Sequence, residues 1–145
     1  MSIVRHAQKG MIMSVEHNKT IARRFLEEYI VEGKSDVHDS SFAPHLAYHV
    51  YGVETHSYQS IRALVRDFHQ GFTNRSVTID DLFGEGDRVA LRFSVTGTHS
   101  GQYRQHTPTN QPVNIEGVIL FRFEADQVAE VWVYYEGFDY DVSPK

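Results

Sequence analysis

The sequence predicts an α+β fold in which helices are laid on one face of a curved antiparallel sheet. Three observations lead there. Apolar residues recur at helical spacing twice in the first half of the chain, once before Gly33 and once after Ser57. From Val77 onward the period falls to two. The later strands are separated by turn residues, Gly84-Glu85-Gly86-Asp87 and Ala125-Asp126-Gln127, so they follow one another without intervening helices.

The first helix is expected over EHNKTIARRFLEEYIVE, Glu16 to Glu32, where Ile21, Phe25, Leu26, Tyr29 and Ile30 share one face and Gly33 follows as a C-terminal cap. Ser35-Asp36 can cap a short helical piece that stops before Pro44. LAYHVYGV, Leu46 to Val53, is rich in strand formers. Ser57 can cap the second helix, whose stripe is Ile61, Leu64, Val65, Phe68 and Phe72. In the next strands Val89, Leu91, Phe93 and Val95 alternate with Ala90, Arg92, Ser94 and Thr96, and Val113, Ile115, Ile119, Phe121 and Phe123 continue the pattern. A last strand runs from Val128 to about Glu136.

A chain of 145 residues with 41% hydrophobic and 23% charged residues fits one globular domain, here 15–145. Residues 1–14 carry early positive charge without an apolar core, which excludes a signal peptide and leaves a flexible leader, with Met11 or Met13 as alternative starts. No apolar run approaches the roughly 20 residues that span a bilayer. The expectation is therefore a cytoplasmic protein with no membrane partner. A net charge of −5 and the lack of a basic run argue against nucleic acid. With no cysteine, disulfides, thiolate metal sites and cysteine nucleophiles are excluded together. No GxSxG, GxGxxG or phosphate-loop motif is present. Eight Tyr, nine Phe and one Trp can fill a core or line a pocket for an apolar ligand.

Three residues could carry acid–base chemistry. His99 stands in Gly97-Thr98-His99-Ser100-Gly101 at the end of a strand, with the parity of Phe93 and Val95, and so points to the buried side. It is either a proton-exchanging group at the rim of a cavity or a turn histidine bonded to the loop that runs from Ser100 to Pro112. Glu136 shares its parity with Glu130, Trp132 and Tyr134. Among aromatic neighbours its carboxyl would be pushed toward a useful pKa, and in water it would be an ordinary strand-end charge. Glu116, at the start of its own strand, is a similar candidate. His49 lies beside Tyr48 and Tyr51 and could be a second polar group in the same cavity or a half-exposed strand residue. His45 and His49 stand four apart, the spacing of a helical metal pair, but Pro44 and the strand formers around them argue against a metal site.

Read together, SIRALVRDFHQGF, GEGDRVALRFSVTGTHSGQY, PTNQPV, FRF and EVW resemble the SnoaL-like polyketide cyclases, of the nuclear transport factor 2-like superfamily. The resemblance covers roughly residues 17 to 137 and implies a cone-shaped curved sheet with helices packed on its concave face and a deep pocket between them. It implies a cofactor-free aldol-type ring closure on an apolar carbonyl compound, as a homodimer. Glu136 falls on the position of the family's acid/base carboxylate, usually aspartate, His99 on its GTH histidine and His49 on the histidine of its early strand. Tyr51, Phe68, Phe93, Trp132 and Tyr134 would line the pocket. The chain departs from the family at Ser57-Tyr58, where a glycine is usual, and in its ending GFDYDVSPK. The alternatives are a non-catalytic carrier of a hydrophobic ligand, or an isomerase, dehydratase or epoxide hydrolase on the same scaffold.

Overall fold

A computed structural model describes residues 15–34, 39–50 and 54–137. The expected leader, the capping pair Ser35-Asp36 and Tyr51 lie outside the described residues. Helix α1 is α-helical over 15–24 and continues as a π-helix, Phe25–Glu32. Sequence periodicity cannot separate i→i+5 from i→i+4 bonding over so short a span, so the widened turn was not foreseeable. It ends as expected at Gly33, whose φ of 78° is left-handed and whose N–H bonds to the Glu28 carbonyl. Helix α2 spans Tyr58–Gly71, and the Ser57 carbonyl accepts the first helical bond from the Ile61 N–H at 3.0 Å.

Six strands follow the same chain order: β1 (Phe42–Val50), β2 (Glu54–His56), β3 (Phe72–Glu85), β4 (Arg88–His99), β5 (Pro112–Glu124) and β6 (Gln127–Glu136). They form one sheet in the order β2-β1-β6-β5-β4-β3. The architecture is α+β as expected, but one join differs: β1 runs parallel to β6, so the sheet is mixed. The intervening α2 and β3–β5 return the chain to β1 from the far side, a non-local pairing that local pattern does not encode. Strand β1 also starts earlier, at Phe42, and contains Pro44. The missing N–H is tolerated because the pairing of β1 with β6 shifts register between Phe42 and Ala47. Phe72, expected to close the helix, instead opens β3.

Alternation decides which face is buried. Val89, Leu91, Phe93 and Val95 of β4, Ile119, Phe121 and Phe123 of β5, and Val131 and Val133 of β6 are all buried against the helices. Phe25 of α1 is the joint between the layers. Its ring lies 5.4 Å from Phe121 and 5.7 Å from Phe42 in edge contacts, and 5.8 Å from Tyr29. Truncating such a side chain to alanine costs about 3–5 kcal/mol.

The C-terminal end of α1 is clasped by the other layer. His69 Nε2 bonds the Ile30 carbonyl at 2.7 Å, and Arg75 Nε donates to the Val31 carbonyl at 2.9 Å, so two helix-end acceptors are satisfied from outside. Burial lowers the His69 pKa, and the positive charge of Arg75 adds to that, while the bond to Ile30 works the other way. The imidazole is therefore held neutral, with Nε2–H as the donor. Its ring leaves no room at Gly33, where a Cβ would stand 2.4 Å from His69 Cε1.

A group whose folded pKa is depressed stabilises fully above its unfolded pKa, about 6.5 for histidine, and loses that contribution as pH falls through the folded value. Urea unfolding should thus show the stability advantage of the wild type over His69→Gln shrinking from pH 8 to pH 5. An advantage that grows on acidification would contradict the neutral clasp. Gly33→Ala, strained in φ and blocked by the ring, should lose more than about 1 kcal/mol in the same assay.

Candidate functional site

Between the two helices and the inner face of the sheet lies a cavity of about 120 Å³. Phe25, Leu26 and Ile30 of α1 and Ile61, Leu64, Val65 and Phe68 of α2 form one side. The sheet contributes Phe72, Phe93, Val95, Ile115, Ile119, Val133 and Tyr135, and β1 adds Tyr48 and Val50. Tyr103 and Arg104, from the loop after β4, complete the wall. Two residues expected in a pocket, Phe68 and Phe93, are thus in this one.

Glu136 is not. In β6 Val128, Ala129, Val131 and Val133 are buried, and from Ala129 onward the buried residues alternate, with Tyr135 continuing that face into the cavity wall. Glu130, Trp132, Tyr134 and Glu136 have the opposite parity and face outward. Tyr134 is 47% exposed and Glu136 is exposed. Glu136 pairs in register with Glu116, and the two share an outer-face groove with Arg92, Ser94 and Tyr134. The expectation that Glu136 and His99 line one apolar hollow is therefore corrected. The strand's period of two places the carboxylate and the cavity on opposite sides of the sheet.

Trp132, expected in the pocket, is corrected in the same way, and His49 takes the second of its two readings, a half-buried strand residue outside the cavity. They stack on the outer face with ring centroids 5.6 Å apart, and the Arg88 guanidinium stands 5.5 Å above the indole. His49 Nε2 meets Glu130 Oε2 at 2.7 Å. Arg122 Nε donates to Glu130 Oε1 at 3.2 Å and its Nη1 to Glu124 Oε1 at 2.6 Å, and Glu124 in turn meets His45 Nε2 at 2.8 Å. The His45–His49 pair is thus tied into a carboxylate–guanidinium chain across β1, β6 and β5. Burial acts to raise the Glu130 pKa, but the bonds from His49 and Arg122 outweigh it and hold the carboxyl below its usual value.

His99 is placed inward, as its parity predicts, and is 1% exposed. It does not form part of the cavity wall. It stacks on Phe72, which does, with centroids 5.2 Å apart, and its Nδ1 lies 3.4 Å from Thr109 Oγ1. Its own backbone pins the loop: the His99 N–H donates to Gln111 O at 3.0 Å, and the Asn110 N–H to His99 O at 2.8 Å. The glycine after it has a steric reason. A Cβ at Gly101 would lie 2.1 Å from the Gln70 carbonyl oxygen, because Ser100 and Gly101 both donate to Gly71 O, at 3.0 and 3.1 Å. The glycine-bracketed histidine therefore caps the C-terminal end of α2 and seats the loop.

The sequence reasoning missed Tyr48, Tyr103, Arg104 and Tyr135. Tyr48 and Tyr135 were accessible to it, since each has the parity of buried apolar neighbours, Leu46 and Val50 for the first and Val131 and Val133 for the second. Tyr103 and Arg104 lie in an irregular loop where no periodicity exists. Among the described residues of the wall there is no carboxylate and no imidazole. Its polar side-chain groups are three tyrosine hydroxyls and one guanidinium. Among the described residues, no group of three or more His, Asp or Glu side chains could hold a metal ion. None of the described helices is long and apolar enough to cross a membrane.

Comparison with known proteins bears on the same fold. The family profile described as SnoaL-like polyketide cyclase matches residues 20–140. A structure from Jannaschia sp. CCS1, assigned as a SnoaL-like polyketide cyclase, superposes with a TM-score of 0.77 at 22% identity, covering 84% of this chain and 87% of that one. TsrD from Streptomyces laurentii gives 0.72 at 21% identity over 83% and 89% of the two chains. A Mycobacterium tuberculosis LEH-like epoxide hydrolase gives 0.65 at 13% identity over 84% of each. At these identities the superpositions establish a shared fold. No curated protein sequence matches the chain.

The outer-face chain of charges is testable by pH. A carboxyl with a depressed folded pKa stabilises above its unfolded value, about 4.3, and loses this as pH falls through the folded one. The stability difference between wild type and Glu130→Gln should be present at pH 7 and fade toward pH 3 in chemical denaturation. A difference independent of pH would show that the charge on Glu130 contributes nothing.

Proposed function

We propose that this chain, which belongs to the SnoaL-like polyketide cyclase family, binds a small apolar molecule in the cavity between its helices and its sheet. The observation that carries this reading is the wall itself. Apolar and aromatic side chains line the space, with three tyrosines and one arginine among them, which is the composition of a small-molecule site rather than of a polar cleft. Size limits the occupant. Drug-sized ligands need about 300–1,000 Å³, whereas this cavity offers about 120 Å³. An engineered cavity of about 150 Å³ accommodates benzene. The ligand, or the part of it enclosed, is of single-ring size.

Family membership favours a second reading, the cofactor-free, aldol-type ring closure. Under it a tyrosine hydroxyl of Tyr48, Tyr103 or Tyr135 would donate a hydrogen bond to the developing enolate oxygen. A phenol donates a hydrogen bond, and neither a carboxylate nor an imidazole stands among the described residues of the wall to take the substrate proton. Glu136 could serve only from the other face of the sheet. Binding is for this reason the reading we prefer. The homodimer implied by the resemblance is proposed to form through the outer face, where Val118, Leu120 and Tyr134 are exposed.

Two substitutions separate these readings. Leu64→Trp adds bulk to the cavity wall and should weaken binding of a single-ring apolar probe such as indole at least tenfold, a loss of about 1.4 kcal/mol or more, with far-UV circular dichroism unchanged. Glu136→Gln should leave that affinity unaltered and change stability by no more than about 0.5 kcal/mol, as for other exposed sites. Loss of probe binding, or of turnover once a substrate is known, in Glu136→Gln would restore the carboxylate to the site and overturn the assignment.

A further inference from the structure

We infer that the ligand of this cavity is an apolar carboxylic acid whose carboxylate is received by Arg104. The inference rests on the binding reading above and specifies its ligand. Arg104 is the single charged residue among the described residues of the wall, and it is itself exposed. A side chain that both lines the cavity and reaches solvent marks the boundary between them. A molecule bound there has its apolar body inside and its polar end at the guanidinium.

The loop holds Arg104 in place by several independent contacts. Tyr103 and His106 exchange backbone bonds, Tyr103 N–H to His106 O at 3.0 Å and His106 N–H to Tyr103 O at 2.8 Å, so Arg104 is the first central residue of a tight turn. Its φ of 53° is left-handed, a conformation usually given to glycine at such a position. Gln102 Nε2 donates to the Arg104 carbonyl at 2.8 Å. The Tyr103 ring lies 5.8 Å from the Arg104 guanidinium carbon and 5.1 Å from Phe72 in an edge contact. Tyr103 also packs so closely on the end of α2 that a Cβ at Gly71 would stand 2.7 Å from its own. A non-glycine residue kept in left-handed backbone at the rim of a cavity is a recurrent feature of ligand clamps.

Guanidinium geometry selects the anion. A planar fork of N–H donors matches a planar carboxylate with two parallel bonds, which an ammonium cannot reproduce. The net charge of −5 repels anions at long range, but that field is screened within about 8 Å at physiological salt. Recognition must then come from direct contact, which a cation at the rim supplies. The volume of about 120 Å³ accommodates an apolar body of about one six-membered ring, so arylacetic and comparably short carboxylic acids are the members of the class that fit inside it.

Phenylacetate and phenylacetamide, equal in skeleton and differing in charge, are the probes, titrated calorimetrically into wild type, Arg104→Gln and Arg104→Lys. Wild type should bind the acid at least about tenfold more tightly than the amide, as expected for a hydrogen bond to a charged group. Arg104→Gln should remove this preference, the acid losing at least about tenfold more affinity than the amide, and Arg104→Lys should keep only part of it. Equal affinities in wild type, or a preference that survives in Arg104→Gln, would overturn the assignment of Arg104 while leaving the cavity as a binding site. Failure of wild type to bind either probe would overturn the binding reading and this one with it.

Discussion

A strand whose one face is buried cannot change which face that is, and most of this molecule's chemistry is a consequence. In β6, burial of Val131 and Val133 is worth about 1.5–3 kcal/mol per side chain. A slip of one residue would expose both and drive Glu130 and Glu136 inward, where each desolvated carboxylate costs several kcal/mol. The same alternation in β4 and β5 stacks Phe93, Ile119 and Phe121 beside them, and Phe25 of α1 closes on that surface. Register, layer packing and the placing of charge are thus one decision made by the apolar residues.

That decision was legible in the sequence and was partly misread. The two helical stripes, the turns at Gly86-Asp87 and Ala125-Asp126, and the strands from Val89 onward follow from periodicity, and the structure contains them. The expectation for Glu136 rests on its aromatic neighbours in sequence and on the family's carboxylate position, and neither specifies a face of the strand. Val131 and Val133, in the same strand, already marked the buried parity, and two glutamates on the other parity marked the wet one. The parallel pairing of β1 with β6 was not legible, because it depends on strands brought together across most of the chain. Neither was the π-helical end of α1, nor the loop that carries Tyr103 and Arg104.

Aromatic composition likewise predicts a pocket without locating it. The aromatic residues fall into three overlapping groups that composition does not separate, Phe25 belonging both to the core and to the cavity wall. Phe25, Tyr29, Phe42 and Phe121 form a ring-on-ring core with centroids 5.3 to 5.8 Å apart. Phe68, Phe72, Phe93 and Tyr103 line the cavity. Trp132 and Tyr134 belong to the outer face, where the indole lies between an imidazole and a guanidinium. Each group satisfies the same hydrophobic statistics, so a count of Phe, Tyr and Trp carries no information about which of them meets a ligand.

The glycine-bracketed histidine connects these parts. By donating twice to the last carbonyl of α2, Ser100 and Gly101 fix where the chain leaves the sheet, and Tyr103 is then pressed against Gly71 and Phe72. His99 supports Phe72 from behind while its backbone holds the far end of the same loop through Asn110 and Gln111. The helix end, the cavity wall and the turn bearing Arg104 are therefore one mechanical unit, with the imidazole at its buried centre. The imidazole meets the cavity wall through Phe72, and its backbone seats the loop that completes that wall.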